Sequence, residues 1–413
     1  MNWLWHSEVY GARTQQMVHG LHARVTADAL SKQQAAKLFG QDSVSISRLE
    51  QFASCPFRHF VDYGLKPVPR RDFEFAPDEK GTFFHAALAN YAALAANVPG
   101  WPEITDEEVD RMMDRVLAPL TDAWENGPLD EHPLARQLGR NYLRMVRRAA
   151  HMFTSHTRNS RFTPWKSEVG FGMDERGLPP VVLTLADGKQ IALRGVIDRI
   201  DRYEGDGGLF LRVIDYKSSQ HNLEPVRMWY GLQLQLLLYL KAAKEGVGGS
   251  KPAGAFYFTV NDPMVESADD VKSAAEAAIA KEMQLKGVVL ADTEVVQAMD
   301  ADVPGYSIGQ VFNKDGSVSS RANALNLEEM HDLLTHAEET AAKLADGIRS
   351  GEIAVSPAET AQWSACTWCE YQGVCRRDPA LIGCAPRTLE KMDRKLLKEK
   401  LAEEARIRRG EDA

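Results

Sequence analysis

Residues 195–217 read GVIDRIDRYEGDGGLFLRVIDYK, and this stretch decides the fold. β-Branched residues crowd both halves, and the Gly-rich turn EGDGG separates them, which predicts two antiparallel strands of a sheet meander. Period-2 alternation puts Val213, Asp215 and Lys217 on one strand face and turns Tyr216 away. On the preceding strand Asp198 is flanked by apolar residues. The pattern therefore predicts that two carboxylates and one ammonium group point into the same space.

Helical and extended patterns alternate outside this stretch. KSEVGFGM and AGAFYFTV predict further strands, and GLQLQLLLYLKAAKEG predicts a buried helix. Helical signals continue over about residues 82–160 and predict an all-helical insertion. A long amphipathic helix is expected from about Asn326 to Ser350. The class is α/β or α+β with a mixed central sheet. We expect a helical lead-in over 1–42, a main domain over 43–384 and a charged tail over 385–413, as a helix or a frayed end.

A helix is also expected in SVSISRLEQFASCPFRHFVDYGL, residues 43–65. Ser47 and Glu50 have the spacing of a capping box, in which each side chain binds a backbone N–H at the start of the helix. Leu49, Phe52 and Phe57 give that helix an apolar face.

Composition and charge limit the possible functions. The chain has 413 residues, 44% of them apolar, and a formal net charge of -9, which argues against a protein that coats polyanions. No leader peptide or bilayer-spanning run is visible, so we expect a cytoplasmic protein without membrane contact. Between Arg136 and Arg161 the chain is basic, which predicts either a helix that faces phosphates or a solvated face paired with acidic neighbours.

The predicted meander suggests metal chemistry. Asp198 and Asp215 can share a hard cation such as Mg²⁺ or Mn²⁺, and His85, on a helix before the sheet, is a further candidate ligand. Glu168, expected at the start of a strand, is a further candidate residue of this metal site. Lys217 would position a water molecule or stabilise developing negative charge. The alternatives are a surface ion pair for Asp215 with Lys217 and a structural role for His85.

The cysteines suggest a second metal site. Cys366, Cys369 and Cys375 have C-x2-C-x5-C spacing, and Cys55 lies far upstream. Four thiolates in this arrangement can hold either Zn²⁺ or a [4Fe–4S] cluster, and the one-plus-three split mildly favours the cluster. Cys384 is expected to be a thiol without a metal-binding role.

The order of these motifs resembles the PD-(D/E)XK nucleases of the RecB type. The matching segments are GTFFH with His85, GVIDRID with Asp198, DYK with Asp215 and Lys217, and QLLLY with Gln235 and Tyr239. The resemblance implies a restriction-endonuclease-like mixed sheet flanked by helices. It also implies that the histidine and the two aspartates bind metal, that the lysine is catalytic, and that Gln235 and Tyr239 organise the site and contact DNA.

The segment SISRLEQFASCPFRHF at residues 45–60, together with the terminal cysteine triplet, resembles the AddB subunits of bacterial AddAB helicase-nucleases. This resemblance implies a [4Fe–4S] cluster that joins the N- and C-terminal parts of the domain. The ligands it implies are Cys55, Cys366, Cys369 and Cys375. It further implies a single-stranded DNA exonuclease or end-processing nuclease of double-strand break repair, with 5′-strand polarity and an AddA-like subunit as partner.

Several alternatives stay open at this point. No phosphate-binding loop of the G-x-x-x-x-G-K-[ST] type occurs, so a separate motor is expected to hydrolyse ATP. About 40 residues precede the predicted domain, which fits a fragment, a split gene product or a stand-alone relative. The other functions considered are a stand-alone iron–sulfur nuclease similar to those of CRISPR adaptation and a catalytically silent DNA-binding scaffold.

Overall fold

The central sheet is mixed and built around one long strand. The computed structural model describes residues 2–21, 29–68, 77–125, 133–174, 176–261, 271–319, 322–379 and 385–411. The strands of the sheet are β1 (Ser43–Ser45), β2 (Thr163–Phe171), β3 (Val181–Thr184), β4 (Gln190–Gly205), β5 (Gly208–Lys217), β6 (Lys251–Thr259), β7 (Lys286–Leu290) and β8 (Ala324–Leu325). Their order is β1-β4-β5-β6-β7-β8, and β2 and β3 also pair with β4. A short parallel pair, β9 (Ala358–Glu359) with β10 (Arg387–Thr388), lies apart.

The predicted meander is confirmed. β4 and β5 are antiparallel, with Arg199 opposite Ile214 and Gly205 opposite Gly208. β5 then pairs in parallel with β6, and β6 pairs antiparallel with β7, so the sheet is mixed as expected. This register brings the middle of β4 next to the C-terminal end of β5, where the carboxylates of the motif lie.

Helices cover both faces of the sheet. Before the sheet and in the insertion they are α1 (Asn2–Trp5), α2 (Gly11–Leu21), α3 (Lys32–Phe39), α4 (Ile46–Ser54), α5 (Pro56–His59), α6 (Pro77–Ala95), α7 (Asp106–Glu125) and α8 (Pro133–Arg158). The later ones are α9 (Pro225–Trp229), α10 (Gln235–Gly246), α11 (Val271–Glu282), α12 (Thr293–Met299), α13 (Leu327–Ser350), α14 (Gln372–Cys375) and α15 (Arg394–Arg409). A π-helical turn, Phe60–Leu65, follows α5.

Side-chain alternation divides the interior into two apolar cores. Val213 of β5 packs into the core shared with α4, α10 and α13. Its neighbours Ile214 and Tyr216 pack into the opposite core, with α6, α7 and α8. This division confirms that Tyr216 points away from the face that carries Val213. The helical insertion thus covers one face of the sheet, while α4 and α10 cover the other.

The segment 43–54 corrects two expectations. Residues Ser43–Ser45 form β1, which pairs in parallel with β4, where the pattern predicted helix alone. The predicted capping box is wrong, because α4 begins at Ile46 and its N-cap residue, Ser45, makes no side-chain cap hydrogen bond. Glu50 is used elsewhere, as described below. Local spacing indicated a helix here, but tertiary contacts determine what its polar side chains bind.

The basic stretch of the insertion is paired with acidic neighbours. On α8, Arg147 lies 2.6 Å from Asp114 and His151 lies 3.0 Å from Asp110, both on α7. Arg158 lies 3.4 Å from Glu103 and donates to the carbonyl oxygen of Pro102. These contacts support the interpretation of a paired basic face rather than that of a helix reserved for phosphates.

The C-terminal segments are ordered by packing. The long helix predicted from Asn326 is confirmed as α13, and Asn326 and Glu329 form a capping box at its start. α15 buries Leu397 and Leu401, so the alternative of a frayed tail is wrong. Cys384 lies outside the described residues, as does the predicted boundary there, and the three-part division stays a prediction. No helix in the described part of the chain combines the length and apolar character that a bilayer span requires.

Candidate active site

Asp198 and Asp215 meet beneath the meander. Both side chains are buried, with Asp198 at 4% and Asp215 at 1% exposure. The Asp198 Oδ2 atom accepts a hydrogen bond of 2.6 Å from the backbone N–H of Tyr216, which ties β4 to β5 beside Asp215. Apart from an ion pair with Lys217, neither carboxylate oxygen of Asp215 has a hydrogen-bond partner among the described residues. Because buried acceptors are normally satisfied, this carboxylate is available to another ligand.

His85 of α6 reaches this pair from the insertion side. Its Nε2 lies 3.0 Å from the carbonyl oxygen of Tyr216, which can only accept, so Nε2–H donates and the neutral ring keeps its lone pair on Nδ1. Nδ1 lies 3.1 Å from Asp198 Oδ1 and 3.8 Å from Glu168 Oε1. Burial lowers the pKa of His85, but the hydrogen bonds to Asp198 and Glu168 outweigh it and raise that pKa to about 10. The carboxylates around Nδ1 therefore favour a positive charge at this point.

Glu168 completes the group from β2. The strand starts at Thr163, so Glu168 lies near its end rather than at its start as predicted. It sits opposite Asp198, between the pairs Ser167–Arg199 and Val169–Ile197. Its φ of 48° is in the left-handed region, which is uncommon for a residue with a side chain and is found at functional sites.

These three side chains have the geometry of a cation site. Among the described residues, His85, Glu168 and Asp198 form the one group of three or more potential ligands whose atoms all lie within 4.8 Å of one another. Their nitrogen and carboxylate oxygens, with Asp215 beside them, suit a hard divalent ion. The donor set therefore fits Mg²⁺ or Mn²⁺.

Lys217 lies at the edge of the carboxylates. Its Nζ is 2.5 Å from Asp215 Oδ2 and donates to Gln235 Oε1 at 3.1 Å. Gln235 in turn donates from Nε2 to the hydroxyl oxygen of Tyr239 at 3.0 Å, one helical turn along α10. Burial raises the pKa of Asp215 to about 6, against the opposing effect of Lys217. The structure thus brings all of the motif residues from the sequence, Lys217, Gln235 and Tyr239 included, into one cluster.

Glu50 is a residue of this region that sequence reasoning missed. Its Oε1 accepts hydrogen bonds from the backbone N–H groups of Leu234 and Gln235, at 2.6 and 2.8 Å. Leu234 is the N-cap of α10 and has no side-chain acceptor, so Glu50 supplies the cap from a different helix. Burial raises the pKa of Glu50 to about 7. The sequence does carry a signal for this role, because Glu50 is a single carboxylate within the apolar stripe of α4. The predicted capping box gave that carboxylate a local partner instead.

Four cysteines surround a separate cavity. Cys55, Cys366, Cys369 and Cys375 line a space of about 180 Å³ between the end of α4 and the C-terminal loop. Burial raises the pKa of Cys55 and of Cys375. No three of these sulfur atoms, all of them in described residues, lie within 4.8 Å of one another. The four sulfur atoms around this cavity could hold a metal group bound by thiolates.

The comparison with known proteins agrees with this site. Residues 43–376 match the PD-(D/E)XK nuclease superfamily. The chain belongs to the PD-(D/E)XK nuclease superfamily. The match begins at β1 and ends just after Cys375, so it includes the sheet, the carboxylate cluster and the cysteine loop. The mixed sheet flanked by helices is the fold expected of a PD-(D/E)XK nuclease.

Similar proteins give a more specific likeness, since they are ATP-dependent helicase/deoxyribonuclease subunits of the AddB type. This PD-(D/E)XK nuclease domain is 37% identical over 377 residues to the relative from Symbiobacterium thermophilum, which is 88% of this chain and 32% of that protein. It is 34% identical to the relative from Caldanaerobacter subterraneus subsp. tengcongensis, over 87% of this chain and 32% of that protein. The relative from Moorella thermoacetica is also 34% identical, over 94% of this chain and 34% of that protein. The chain spans about a third of the length of these relatives.

Proposed function

We propose that this chain is a metal-dependent DNA nuclease that cuts single-stranded DNA ends during the repair of double-strand breaks by recombination. The observation that carries the proposal is the buried carboxylate of Asp215, which has Lys217 Nζ at 2.5 Å and no further hydrogen-bond donor among the described residues. Membership of the superfamily and the deoxyribonuclease names of the relatives support it.

The proposed ion, Mg²⁺ or Mn²⁺, would be held by His85, Glu168, Asp198 and Asp215. When bound, such an ion polarises a phosphodiester oxygen and lowers the pKa of a coordinated water molecule. Once Nδ1 has lost its proton, His85 presents the Nδ1 lone pair to the ion, because its Nε2–H stays bound to the Tyr216 carbonyl oxygen. Asp198 is fixed by the Tyr216 N–H, so both ligands are oriented through the backbone of β5.

Lys217 is the proposed catalytic residue beside this ion. Its ammonium group is close enough to Asp215 to hold a water molecule on the same side, or to stabilise the charge that develops on the phosphate. Gln235 restrains the lysine from α10, and Tyr239 restrains Gln235, so the rotamer of Lys217 depends on both. Gln235 and Tyr239 are also proposed to contact the DNA strand.

The proposal is tested on end-labelled single-stranded DNA. The wild type should shorten the labelled strand in the presence of Mg²⁺ or Mn²⁺, and Asp215→Ala should not. Arg202→Gln, a change at an exposed residue of β4 that contacts none of the proposed ligands, is the matched control and should retain the activity. A folded wild type that leaves the DNA intact under all metal conditions would favour the catalytically silent DNA-binding scaffold.

We further propose that the four cysteines hold a [4Fe–4S] cluster. Bound there, the cluster would join residue 55 to residues 366–375 and so restrict the unfolded chain. The Tyr371 hydroxyl donates to Asp62, and Gln372 Nε2 donates to the Cys366 carbonyl oxygen at 2.6 Å, so the loop is already fixed on both sides. Anaerobically purified protein should be brown, and Cys369→Ala should be colourless with a lower melting temperature. A Cys369→Ala protein with normal colour and melting would contradict the assignment.

The proposed partner is an AddA-like helicase-nuclease subunit. The relatives are named as one subunit of an ATP-dependent helicase/deoxyribonuclease, and this sequence has no phosphate-binding loop to drive a motor. We therefore expect the chain by itself to show no DNA-stimulated ATP hydrolysis. Cleavage of duplex ends should require ATP and the partner, whereas cleavage of single strands should not.

A further inference from the structure

A cavity with polar walls lies between β1, the first turn of α4 and Arg194 of β4. It has a volume of about 180 Å³, well above the roughly 15 Å³ that one water molecule requires. Among its described lining residues there are cations and hydroxyl groups but no carboxylate. They include Ser43, Ser45, Arg48, Tyr63, Lys66 and Arg194. In a chain with a net charge of -9, a cavity lined by three cations without a described acid is unusual.

Arg48 is the residue that gives this cavity its character. It is only 6% exposed. Its Nε donates to His59 Nε2 at 2.9 Å, its Nη1 lies 3.4 Å from Gln41 Oε1, and its guanidinium stacks over the rings of Phe39 and Tyr63. Its Nη2 has no partner among the described residues. A buried guanidinium is therefore held rigidly, with one nitrogen left for an occupant of the cavity it lines.

The neighbours of Arg48 do not neutralise it. Burial lowers the pKa of Arg48 by more than Tyr63 raises it, and the nearby Arg194 lowers it further. His59 accepts the Nε–H bond and so is neutral at that nitrogen, and burial lowers the pKa of His59 to about 3. A buried cation without a counter-charge is costly, so an anionic occupant would stabilise the site. Guanidinium and hydroxyl groups together match the oxygens of a phosphate group.

The cavity is connected to the carboxylate cluster through two elements. Arg194 lies on β4 four residues before Asp198, which is about 13 Å along the strand. A stacked DNA strand advances about 3.4 Å per nucleotide, so about four nucleotides cover this distance. Arg48 lies on α4 two residues before Glu50, which holds the start of α10. A strand whose scissile phosphate lies at Asp198 is therefore long enough to place another phosphate at Arg194, which lines the same cavity as Arg48.

We infer that this cavity binds a backbone phosphate of the DNA strand that the carboxylate cluster cuts. The inference rests on the proposed nuclease function. Arg48 would donate from Nη2, Arg194 and Lys66 would close the site from its exposed side, and the hydroxyl groups would donate to the remaining oxygens. The site would thus hold the strand in place a few nucleotides from the point of cleavage.

The test uses the two exposed cations, because removal of the buried Arg48 could unfold the chain. Lys66→Gln/Arg194→Gln is compared with Arg202→Gln, which removes an exposed arginine from the same strand outside the cavity. In the Asp215→Ala background, binding of a single-stranded oligonucleotide is measured against salt concentration. Loss of one phosphate contact should lower the slope of log K against log salt by about 0.7 and weaken binding about tenfold. Arg202→Gln should change neither quantity.

Inorganic phosphate separates the possible sources of the anion. Isothermal titration without metal should show that phosphate binds the wild type and binds Lys66→Gln/Arg194→Gln at least about tenfold more weakly. If phosphate binding is lost in that variant but the DNA salt slope is unchanged, the cavity takes free phosphate and the strand assignment is wrong. If neither quantity changes, the cavity is not an anion site. Hydrolysis of a small chromogenic phosphodiester by the wild type reports on the nuclease function alone, so its failure is distinguishable from both results.

Discussion

Strands β4 and β5 carry two carboxylate–cation groups on opposite faces of the sheet, and the two groups differ in how they are satisfied. On one face, Asp201 accepts hydrogen bonds from Arg199 on both oxygens, at 2.6 and 2.9 Å, and from Arg212 Nε at 2.9 Å. On the other face, Asp215 has Lys217 beside it and no further hydrogen-bond donor among the described residues. We call Asp201 with Arg199 and Arg212 the closed group, because both oxygens of its carboxylate are hydrogen-bonded, although Nη1 and Nη2 of Arg212 have no partner among the described residues. Asp215 with Lys217, Asp198, His85 and Glu168 is the open group, in which the Asp215 carboxylate has free coordination sites.

The aspartates of both groups are buried, but the open group also includes partly exposed side chains. Asp201 and Arg212 are both 0% exposed and Asp215 is 1% exposed, whereas the side chains of His85 and Glu168 are 31% and 38% exposed. A closed ion pair holds the fold together, and an open one with excess negative charge can take up a cation and a substrate. Asp198 and Asp201, three residues apart in GVIDRID, thus have different roles, since Asp198 belongs to the open group and Asp201 to the closed one. Substitutions in the two groups should therefore affect catalysis and stability differently.

The largest effect is expected on catalysis from the open group. Asp215→Asn should lower single-strand cleavage at least about a thousandfold, or about 4 kcal/mol, because the proposed ion loses a carboxylate ligand. The free energy of unfolding should not fall, since burial already raises the pKa of Asp215 to about 6 and so disfavours its ionised form. Cleavage rates and urea melts measure the two quantities. Retained cleavage in this variant would remove Asp215 from the mechanism.

The closed group should show the opposite pattern. Asp201→Asn leaves Arg199 and Arg212 buried without their carboxylate, and breaking such a pair costs about 3–5 kcal/mol. Cleavage per folded molecule should stay within about threefold of the wild type, a change below 1 kcal/mol. Urea denaturation and active-site-normalised rates check this result. An Asp201→Asn protein of normal stability would show that the closed group is not structural.

Divalent metal should stabilise only through the open group, and this effect should depend on pH. At ten times its dissociation constant, Mg²⁺ should add about 1.4 kcal/mol to the stability of the wild type and of Asp201→Asn, but not to that of Asp215→Asn. Thermal unfolding of the three proteins at several Mg²⁺ concentrations measures this stabilisation.

The sign of the pH dependence follows from His85. Its pKa is raised to about 10, so the proton must leave before Nδ1 can bind metal, and Mg²⁺ affinity should rise with pH up to about pH 10. Without metal, the charged ring contributes stability that is fully present below the unfolded pKa of about 6.5 and lost as pH rises through about 10. An Mg²⁺ affinity independent of pH over this range would argue against His85 as a ligand.

The smallest effect is expected at Glu50. Glu50→Ala removes the cap of α10 and should lower kcat about tenfold through Gln235 and Lys217, with KM little changed. Glu50→Gln keeps an acceptor oxygen and is the matched control, which should restore most of the rate. Steady-state kinetics of both variants give the comparison. Equal kcat values for the two would show that the cap does not position Lys217.

Patterns with a short period were predictable from the residues themselves. Contacts between distant segments were predictable only where the family resemblance supplied them, as for His85 with Asp198 and for Cys55 with the C-terminal cysteines. Alternation along β5 was enough to place Asp215 and Lys217 together, and the spacing of Asp198 and Asp201 puts them on opposite faces. Alternation does not tell which face of the sheet carries the metal site, because that depends on the position of His85 on α6. Glu50 caps a helix 184 residues away, and β1 pairs with a strand about 150 residues away. Such contacts leave no local periodicity, so the sequence suggested a capping box instead.

The left-handed backbone of Glu168 and the cavity beside Arg48 belong to the same category. Nothing in KSEVGF indicates the positive φ of Glu168, which occurs where β2 pairs with β4 beside Asp198. Arg48 is buried because α4 packs against Phe39 and Tyr63, two residues outside its own helix. Burial of a polar side chain is decided by the tertiary packing around it, which a single helix does not encode.

The most direct test of the difference between the two groups is to count Mn²⁺ ions by electron paramagnetic resonance. The wild type and Asp201→Asn should each bind Mn²⁺ at a site from which Mg²⁺ displaces it, and Asp215→Asn should lose that site while staying folded. Unchanged Mn²⁺ binding in Asp215→Asn, or loss of the site in folded Asp201→Asn, would contradict the assignment of the metal to the open group.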